Sequence, residues 1–312
     1  MLAVIIVSWN TCDLLNACLR SVSVAAAHAG LPYRVVVVDN ASSDGSADMV
    51  RAQHPQVEVI ESGRNLGFAG GNNLALRRLL ADPAIDRFLL LNPDTVVARD
   101  ALGLLCRELA MYPAVAVVGP QLWYGDGTRQ SSRRRFPGVA TAFFESTPLE
   151  TRWPGNPWVR YYRMDDLADD VRQEVDWLVG AALLVRRSAV ERAGLLDAGF
   201  QMYSEELEWQ RRIRITGGTI VYLPAASITH YEGKSSEQAP ARRYITFQQS
   251  KIRYVAMTHG VRAAQVLRAF LVAAYAGEWA SEGLKRLASH KVRLRRRRMR
   301  VYGEVIRALM RG

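Results

Sequence analysis

The sequence predicts a doubly wound, mostly parallel α/β sheet with a helical, basic C-terminal extension. Short apolar runs alternate with segments of helical spacing through roughly the first 120 residues, the pattern of strands joined by crossover helices. The run Phe88-Leu89-Leu90-Leu91 stops abruptly at Asn92-Pro93-Asp94-Thr95, and Val35-Val36-Val37-Val38 stops the same way at Asp39-Asn40-Ala41. Apolar runs of this length bounded by turn residues are buried strands of a parallel sheet. From Pro240 onward the reading is helical throughout.

In order, strands are expected at Leu2–Ser8, Arg34–Val38, Val57–Ile60, Arg87–Leu91 and Val115–Gly119. Asp13–Ala27 sets Leu14, Leu15, Cys18, Leu19 and Val22 on one helical face, and Ser46–Gln53, Gly71–Leu80 and Arg99–Met111 are further helices. Leu122–Glu174 is rich in Arg, Trp, Tyr and Pro with weak periodicity, and is expected to be irregular and mostly on the surface, as a lid would be. Trp177–Arg186 resumes as a strand. Ala189–Ala193 and Glu205–Thr216 are helices, the second ended by Gly217-Gly218, and Thr219–Leu223 and Ser227–His230 are strands. In the C-terminal part Ile245, Ile252, Val255 and Ala256 share a face. The expected division is a sheet domain over 1–239, with halves 1–120 and 121–239, and a helical region over 240–312.

A chain of 312 residues that is 49% hydrophobic can bury a large core. No run of about 18 uncharged apolar residues occurs, so no membrane-spanning helix is expected. Met1–Ser8 lacks a basic leader and runs straight into a strand pattern, so no signal peptide is expected. Cys12, Cys18 and Cys106 have no metal-ligand spacing and are expected to be reduced thiols of a cytoplasmic protein. The net charge of +11 is concentrated. Lys285 to Gly312 holds eleven Lys/Arg and one acid, Glu304, leaving the body nearly neutral. Such a stripe points to an anionic surface.

Ligands of open α/β sheets bind beyond the carboxyl ends of the strands. Asp94 stands there, where a carboxylate can hold a divalent metal against a phosphate or merely be solvated in a turn. Asp39 stands at a second strand end, placed to accept from a ribose or a base N–H, and Asp44 or Ser46 suits a helix cap. Gly63-Arg64-Asn65-Leu66-Gly67-Phe68-Ala69-Gly70-Gly71-Asn72-Asn73 reads as a glycine-dense loop entering a helix, without the endings of a P-loop or a dinucleotide fingerprint. Glu205, Glu206 and Glu208 open a helix, where the dipole favours acids and where one of them can serve as a general base. His230 ends a strand and can join a metal site or be structural; Lys234 can meet a phosphate or lie in solvent.

Taken together, these pieces resemble an inverting glycosyltransferase of family 2 with the GT-A fold, most closely its rhamnosyltransferase-like branch. The matching segments are Val7-Ser8-Trp9-Asn10, Val38 through Ser46, Asn65 through Asn73, Leu91-Asn92-Pro93-Asp94-Thr95, Val179-Gly180-Ala181, Glu205-Glu206 and His230 through Ser236. They cover roughly residues 1 to 260 in order. The resemblance implies that Ser8, Asn10, Asp39, Asn65, Gly67 and Gly71 line the nucleotide pocket. It implies that Asp94, with His230, holds Mg²⁺ or Mn²⁺ at the donor diphosphate beside Asn92 and Lys234. Gly180 and Ala181 would line the sugar pocket, and Glu206, or else Glu205, would deprotonate the acceptor. Two departures stand out. Asn92 occupies the place of the first acid of an Asp-x-Asp motif, and Glu206 that of an Asp, one methylene shorter.

The implied activity is transfer of a sugar, rhamnose from dTDP-rhamnose on branch similarity, to a glycan or polyprenyl-linked glycan. A sugar nucleotidyltransferase and a non-catalytic nucleotide- or glycan-binding relic are the rival readings. The basic tail suits an anionic membrane at the inner face of the plasma membrane, or a solvated helix packed on the body. No nucleic-acid partner is expected, because the tail lacks interleaved aromatics.

Overall fold

The computed structural model describes residues 1–200, 202–231, 240–288 and 291–311. They form two compact units. One comprises described residues within 1–136, 167–201 and 205–235, the other those within 137–166, 202–204 and 236–312.

In the first unit the order is β1 (Leu2–Ser8), α1 (Cys12–Ala29), β2 (Tyr33–Asp39), α2 (Ser46–Gln53), β3 (Glu58–Glu61), α3 (Gly67–Leu79), β4 (Arg87–Leu91), β5 (Thr95–Val97), α4 (Ala101–Met111), β6 (Val115–Trp123), β7 (Arg129–Gln130) and β8 (Arg133–Arg134). The second unit contributes α5 (Val139–Phe144), α6 (Pro148–Arg152) and α7 (Pro157–Arg163). The first unit then resumes with β9 (Gln173–Glu174), β10 (Trp177–Leu178), β11 (Ala182–Arg186), α8 (Arg187–Ala193), α9 (Glu205–Ile215) and β12 (Thr219–His230). Helices α10 (Pro240–His259), α11 (Val261–Ala288) and α12 (Val292–Arg311) complete the second unit.

The main sheet has the order β3-β2-β1-β4-β11-β6-β12-β5, with β7 on β6 and β9 on β12. Strands β3, β2, β1 and β4 run parallel, as do β6 and β12; β11 and β5 are antiparallel to their neighbours. The register pairs Ser8 with Asp39 and Ile6 with Leu91, so three strands end at one edge. Both sheet faces are covered. One core gathers Leu15, Cys18, Leu19 and Val22 of α1 and Leu102, Leu105 and Leu109 of α4 against Val4, Ile6, Val37 and Leu91. In the second unit Ile252, Val255, Leu267, Leu271, Val305 and Leu309 form a helical core, with Ile245 and Ala256 packed on it. The C-terminal face expected from the sequence is therefore present.

Several expectations change. The segment 122–174 is only in part irregular: it carries three short strands and three short helices between its loops. Two of those helices have explicit starts. Thr147 Oγ1 accepts from Leu149 N at 3.2 Å ahead of Pro148, and Asn156 Oδ1 accepts from Val159 N at 2.9 Å ahead of Pro157. Capping side chains followed by Pro at the first helical position are sufficient for such pieces. Residues 137–166, read as part of the sheet domain, belong to the helical unit. The run Trp177–Arg186 is two strands rather than one, broken at Val179-Gly180-Ala181. Conversely β12 is one strand with a register shift between Leu223 and Ser227, where Pro224 takes a position that needs no ladder donor.

Helix α3 begins at Gly67, four residues earlier than expected, so 63–66 form the loop and Gly67 to Asn73 the first turns of the helix. The reason is packing. A Cβ on Gly71 would lie 2.6 Å from Val7 Cγ1, and only glycine lets α3 approach β1 this closely. Cys12, Cys18 and Cys106 are free thiols. Among the described residues no helix is long and apolar enough to cross a membrane.

Candidate active site

The site lies at the carboxyl edge of β1, β2 and β4, within the sheet unit. Ser8 is buried at the end of β1, with its Oγ 2.9 Å from Thr11 Oγ1. Asp39, opposite it, is buried; Oδ2 accepts from Ser42 N at 3.0 Å, while Oδ1 is buried with no hydrogen-bond partner. An orphaned carboxylate oxygen costs free energy unless a ligand supplies a donor. The loops beside it are locked. Asn10 Oδ1 accepts from Ser43 N at 2.8 Å, and Ser42 Oγ accepts from Asn10 N at 3.0 Å. Asn10 and Ala41 hold left-handed backbone, φ 52° and 61°, a strained choice for non-glycine residues that is concentrated at ligand sites. The N-cap of α2 is Gly45 rather than Asp44 or Ser46; Asp44, one residue earlier, accepts from Ser46 N at 3.1 Å through Oδ1 and from Cys12 N at 2.8 Å through Oδ2, joining the starts of α1 and α2.

Asn65 turns its Oδ1 back onto Gly67 N at 2.9 Å. Asn40, which the motif reading did not single out, donates from Nδ2 to Gly67 O at 3.1 Å and so ties the start of α3 to the end of β2. Gly67 has φ 70°. Gly71 faces Val7, not the open edge of the sheet.

The second half of the site gathers around His230. Asp94 Oδ1 lies 3.3 Å from His230 Nε2, and both side chains are buried. Asn92 Nδ2 lies 3.3 Å from the same nitrogen. On the other side of the ring Nδ1 is 3.0 Å from Gln130 Oε1. A carbonyl oxygen only accepts, so Nδ1 donates to Gln130 and Nε2 is the nitrogen turned toward Asp94 and Asn92. A carboxylate oxygen and an imidazole nitrogen facing each other fit a shared cation. One oxygen and one nitrogen suit a divalent ion that would take its remaining ligands from outside this pair. Among the described residues no group of three or more His, Cys, Asp or Glu could hold a metal ion. Lys234 lies outside the described residues.

A break in the strand brings the third element in. Asn92 N donates to Ala181 O at 2.9 Å, which holds the 179–181 segment beside the end of β4. Its neighbour Gly180 hydrogen-bonds through its backbone to the Glu206 carboxylate. A Cβ on Gly180 would lie 3.3 Å from Glu206 Cγ, so the longer acid fits because this position has no side chain. Burial pushes the Glu206 carboxyl above its ordinary range, while backbone N–H groups of Glu206, Gly180 and Leu207 act in the opposite direction. Its Oε2 is buried with no hydrogen-bond partner.

Glu205 is also buried. Glu208 is structural: both its oxygens take the Arg212 guanidinium, at 2.7 and 2.9 Å. Gln210, another residue the motif reading missed, accepts from Leu178 N at 2.9 Å and donates to Leu178 O at 2.7 Å, clamping α9 to the strand that leads into Gly180. Two consecutive left-handed residues, Tyr203 (φ 69°) and Ser204 (φ 67°), lead into Glu205.

Asp39 at the end of β2 and Asp94 just beyond the end of β4 thus stand on either side of β1, with a carboxylate–imidazole pair and a base candidate beside them. Residues 3–193 match the family described as "Glycosyl transferase family 2", and the chain belongs to that family. It is 29% identical over 266 residues to the N-acetylglucosaminyl-diphospho-decaprenol L-rhamnosyltransferase of Mycobacterium tuberculosis, covering 83% of this chain and 85% of that one. It is 28% identical over 261 residues to the rhamnosyltransferase WbbL of Escherichia coli (strain K12), covering 82% and 93%. Among solved structures it is similar to the mannosyltransferase PcManGT from Pyrobaculum calidifontis in complex with GDP-Man and Mn²⁺, with TM-score 0.55, 19% identity, and 99% and 86% of the two chains covered. It is also similar to GalNAc-T7 with UDP, GalNAc and Mn²⁺, with TM-score 0.56, 15% identity, and 82% and 47% covered. The fold is thus the GT-A type, and the protein is a glycosyltransferase with rhamnosyltransferase relatives.

Proposed function

We propose that this enzyme moves a sugar, rhamnose from dTDP-rhamnose, onto a glycan or lipid-linked glycan with inversion at the anomeric carbon. The rhamnosyltransferase relatives support the sugar, and the decaprenol-linked acceptor in the name of the mycobacterial relative supports the acceptor class. One observation carries the reading. Asp39 with its orphaned oxygen, the Asp94–His230 pair and the buried Glu206 are gathered at one sheet edge.

Asp39 Oδ1 accepts from the base N–H or ribose hydroxyl, with Ser8, Asn10, Asn65 and Gly67 shaping the pocket around it. Asp94 and His230, beside Asn92, would hold a divalent ion, Mg²⁺ or Mn²⁺, whose charge would offset that of the diphosphate. Glu206 accepts the proton of the acceptor hydroxyl while that oxygen bonds to the anomeric carbon from the face opposite the diphosphate. The bond to the diphosphate breaks and its electron pair leaves with the nucleotide. Its place against Gly180, in the segment held beside the end of β4, supports Glu206 over Glu205 as base. A lipid-linked acceptor would call for an enzyme at the inner face of the plasma membrane, and the basic tail supports that reading.

The test incubates the full chain with dTDP-rhamnose, Mn²⁺ and polyprenyl-diphospho-GlcNAc. Release of dTDP with a glycosylated lipid is expected. Nucleotide binding without transfer from any sugar donor would favour a binding protein. Pyrophosphate release from a sugar phosphate and a nucleoside triphosphate would favour a nucleotidyltransferase.

A further inference from the structure

Helices α11 and α12 form an antiparallel hairpin. Glu282 takes Arg295 at 2.7 Å and Arg298 at 3.2 Å, a Cβ on Gly283 would lie 3.6 Å from Met299 Cε, and one on Gly303 would lie 4.0 Å from Trp279 Nε1. The pairings run in opposite directions and place the tip near residue 291. Around that tip three leucines face solvent: Leu284 is 70% exposed, Leu287 87% and Leu294 43%. They lie in an acid-free stretch, since residues 283–303 contain nine Lys/Arg and no Asp or Glu. The nearest acid, Glu282, is buried and already neutralised by its two arginines.

The apolar side of α12 further along is not available to a partner. Val305 and Leu309 are buried in the helical core, with Tyr302 and Ile306 packed on it. So α12 does not lie on a surface by its whole apolar face, as an isolated amphipathic helix would. What remains is a cationic tip studded with leucines. Exposed Leu ringed by guanidinium and ammonium groups matches the boundary between acyl chains and anionic headgroups. Nucleic acid is the poorer match, because residues 280–301 contain no Phe, Trp or Tyr to stack on bases.

We propose that the α11–α12 tip docks the enzyme on an anionic bilayer, with Leu284, Leu287 and Leu294 below the headgroups and Lys285, Arg286, Arg293, Arg296 and Arg297 at the phosphates. This deepens the lipid-linked acceptor reading, but the binding needs neither donor nor acceptor. The tip supplies two signals, cations and inserted leucines, which together make a stable reversible anchor.

The test is flotation of the full chain with vesicles of phosphatidylcholine, with and without phosphatidylglycerol, at low salt. Binding to the anionic vesicles only is expected. The L284S/L287S/L294S variant should bind them about 100-fold more weakly, given the transfer free energy of three partly buried leucines. R296Q/R297Q should lose about fivefold per cation and show a shallower salt dependence. Unchanged stabilisation by dTDP with Mn²⁺ would show that the variants fold. Should the triple variant fail to fold, quenching of an L287W variant by brominated lipid reads the insertion directly. Vesicle affinity unaffected by the leucine changes, equal binding to neutral vesicles, or capture of single-stranded DNA without vesicle binding would overturn the proposal. Failure of the transferase reading would look different: vesicle binding would persist with no transfer in detergent.

Discussion

His230 donates from Nδ1 to Gln130 Oε1 across 3.0 Å, and that bond decides which face of the imidazole meets Asp94. Gln130 is buried and pairs through β7 with Leu122 of β6. In the proposed cation site it would act through His230, as a positioning residue. Gln130→Ala should let the ring change tautomer and weaken Mn²⁺ binding in the presence of dTDP by about 10- to 100-fold. Electron paramagnetic resonance titration of free Mn²⁺ reads this without activity. Unaltered affinity would remove Gln130 from the account.

Asp94 supplies the only negative charge of the 92–94 motif, because Asn92 is neutral. Asp94→Ala should abolish the effect of Mn²⁺ on dTDP affinity while leaving metal-free nucleotide binding to Asp39 intact. Isothermal titration with and without Mn²⁺ separates the two. An undiminished Mn²⁺ effect would place the ion elsewhere.

Glu206→Gln should lower kcat by about 10²- to 10⁴-fold with little change in donor affinity. The same substitution should stabilise the protein. The Glu206 carboxyl is pushed up by burial, so the folded state holds its proton more tightly than the unfolded chain does. Stability contributed by that proton is lost as pH rises from the ordinary 4.5 through the raised value. Gln carries no such charge. A higher Tm at pH 7 to 8, shrinking toward pH 4, is the expected signature in a thermal scan. A lower Tm at neutral pH would contradict the burial argument.

The acid limb of kcat/KM reports the same group. A base must be deprotonated to act, so activity should rise with pH through a midpoint above the ordinary 4.5 of a glutamate. A midpoint at or below 4.5 would assign the limb to another acid.

Gly71→Ala tests the packing of α3 on β1. The added methyl meets Val7 at 2.6 Å, an overpacking that costs about 1–3 kcal/mol. Urea denaturation measures it. Stability unchanged within error would show that α3 can shift.

Much of this was legible in the sequence because the signals were local. The apolar runs ending at Asp39 and Asp94 fixed both strand ends, and the alternation around them fixed the doubly wound sheet. What stayed hidden depended on contacts distant in the chain. Gln130 and Gln210 carry no motif; they matter because β7 and α9 bring them to His230 and to the strand before Gly180. The resemblance sets Gly71 at the nucleotide pocket; its close packing against Val7, 64 positions earlier, has no signal in the neighbouring sequence. The short helices of 139–163 are too brief to show periodicity, although Thr147-Pro148 and Asn156-Pro157 announced two of their starts.

The most direct test of the central claim is the anomeric configuration of the product. With dTDP-rhamnose, Mn²⁺ and polyprenyl-diphospho-GlcNAc, proton NMR of the purified product should show the transferred sugar in the configuration opposite to that of the donor, and the E206Q variant should yield none. A product that keeps the donor's configuration, or an E206Q enzyme that transfers at the parent rate, would contradict single displacement with Glu206 as base.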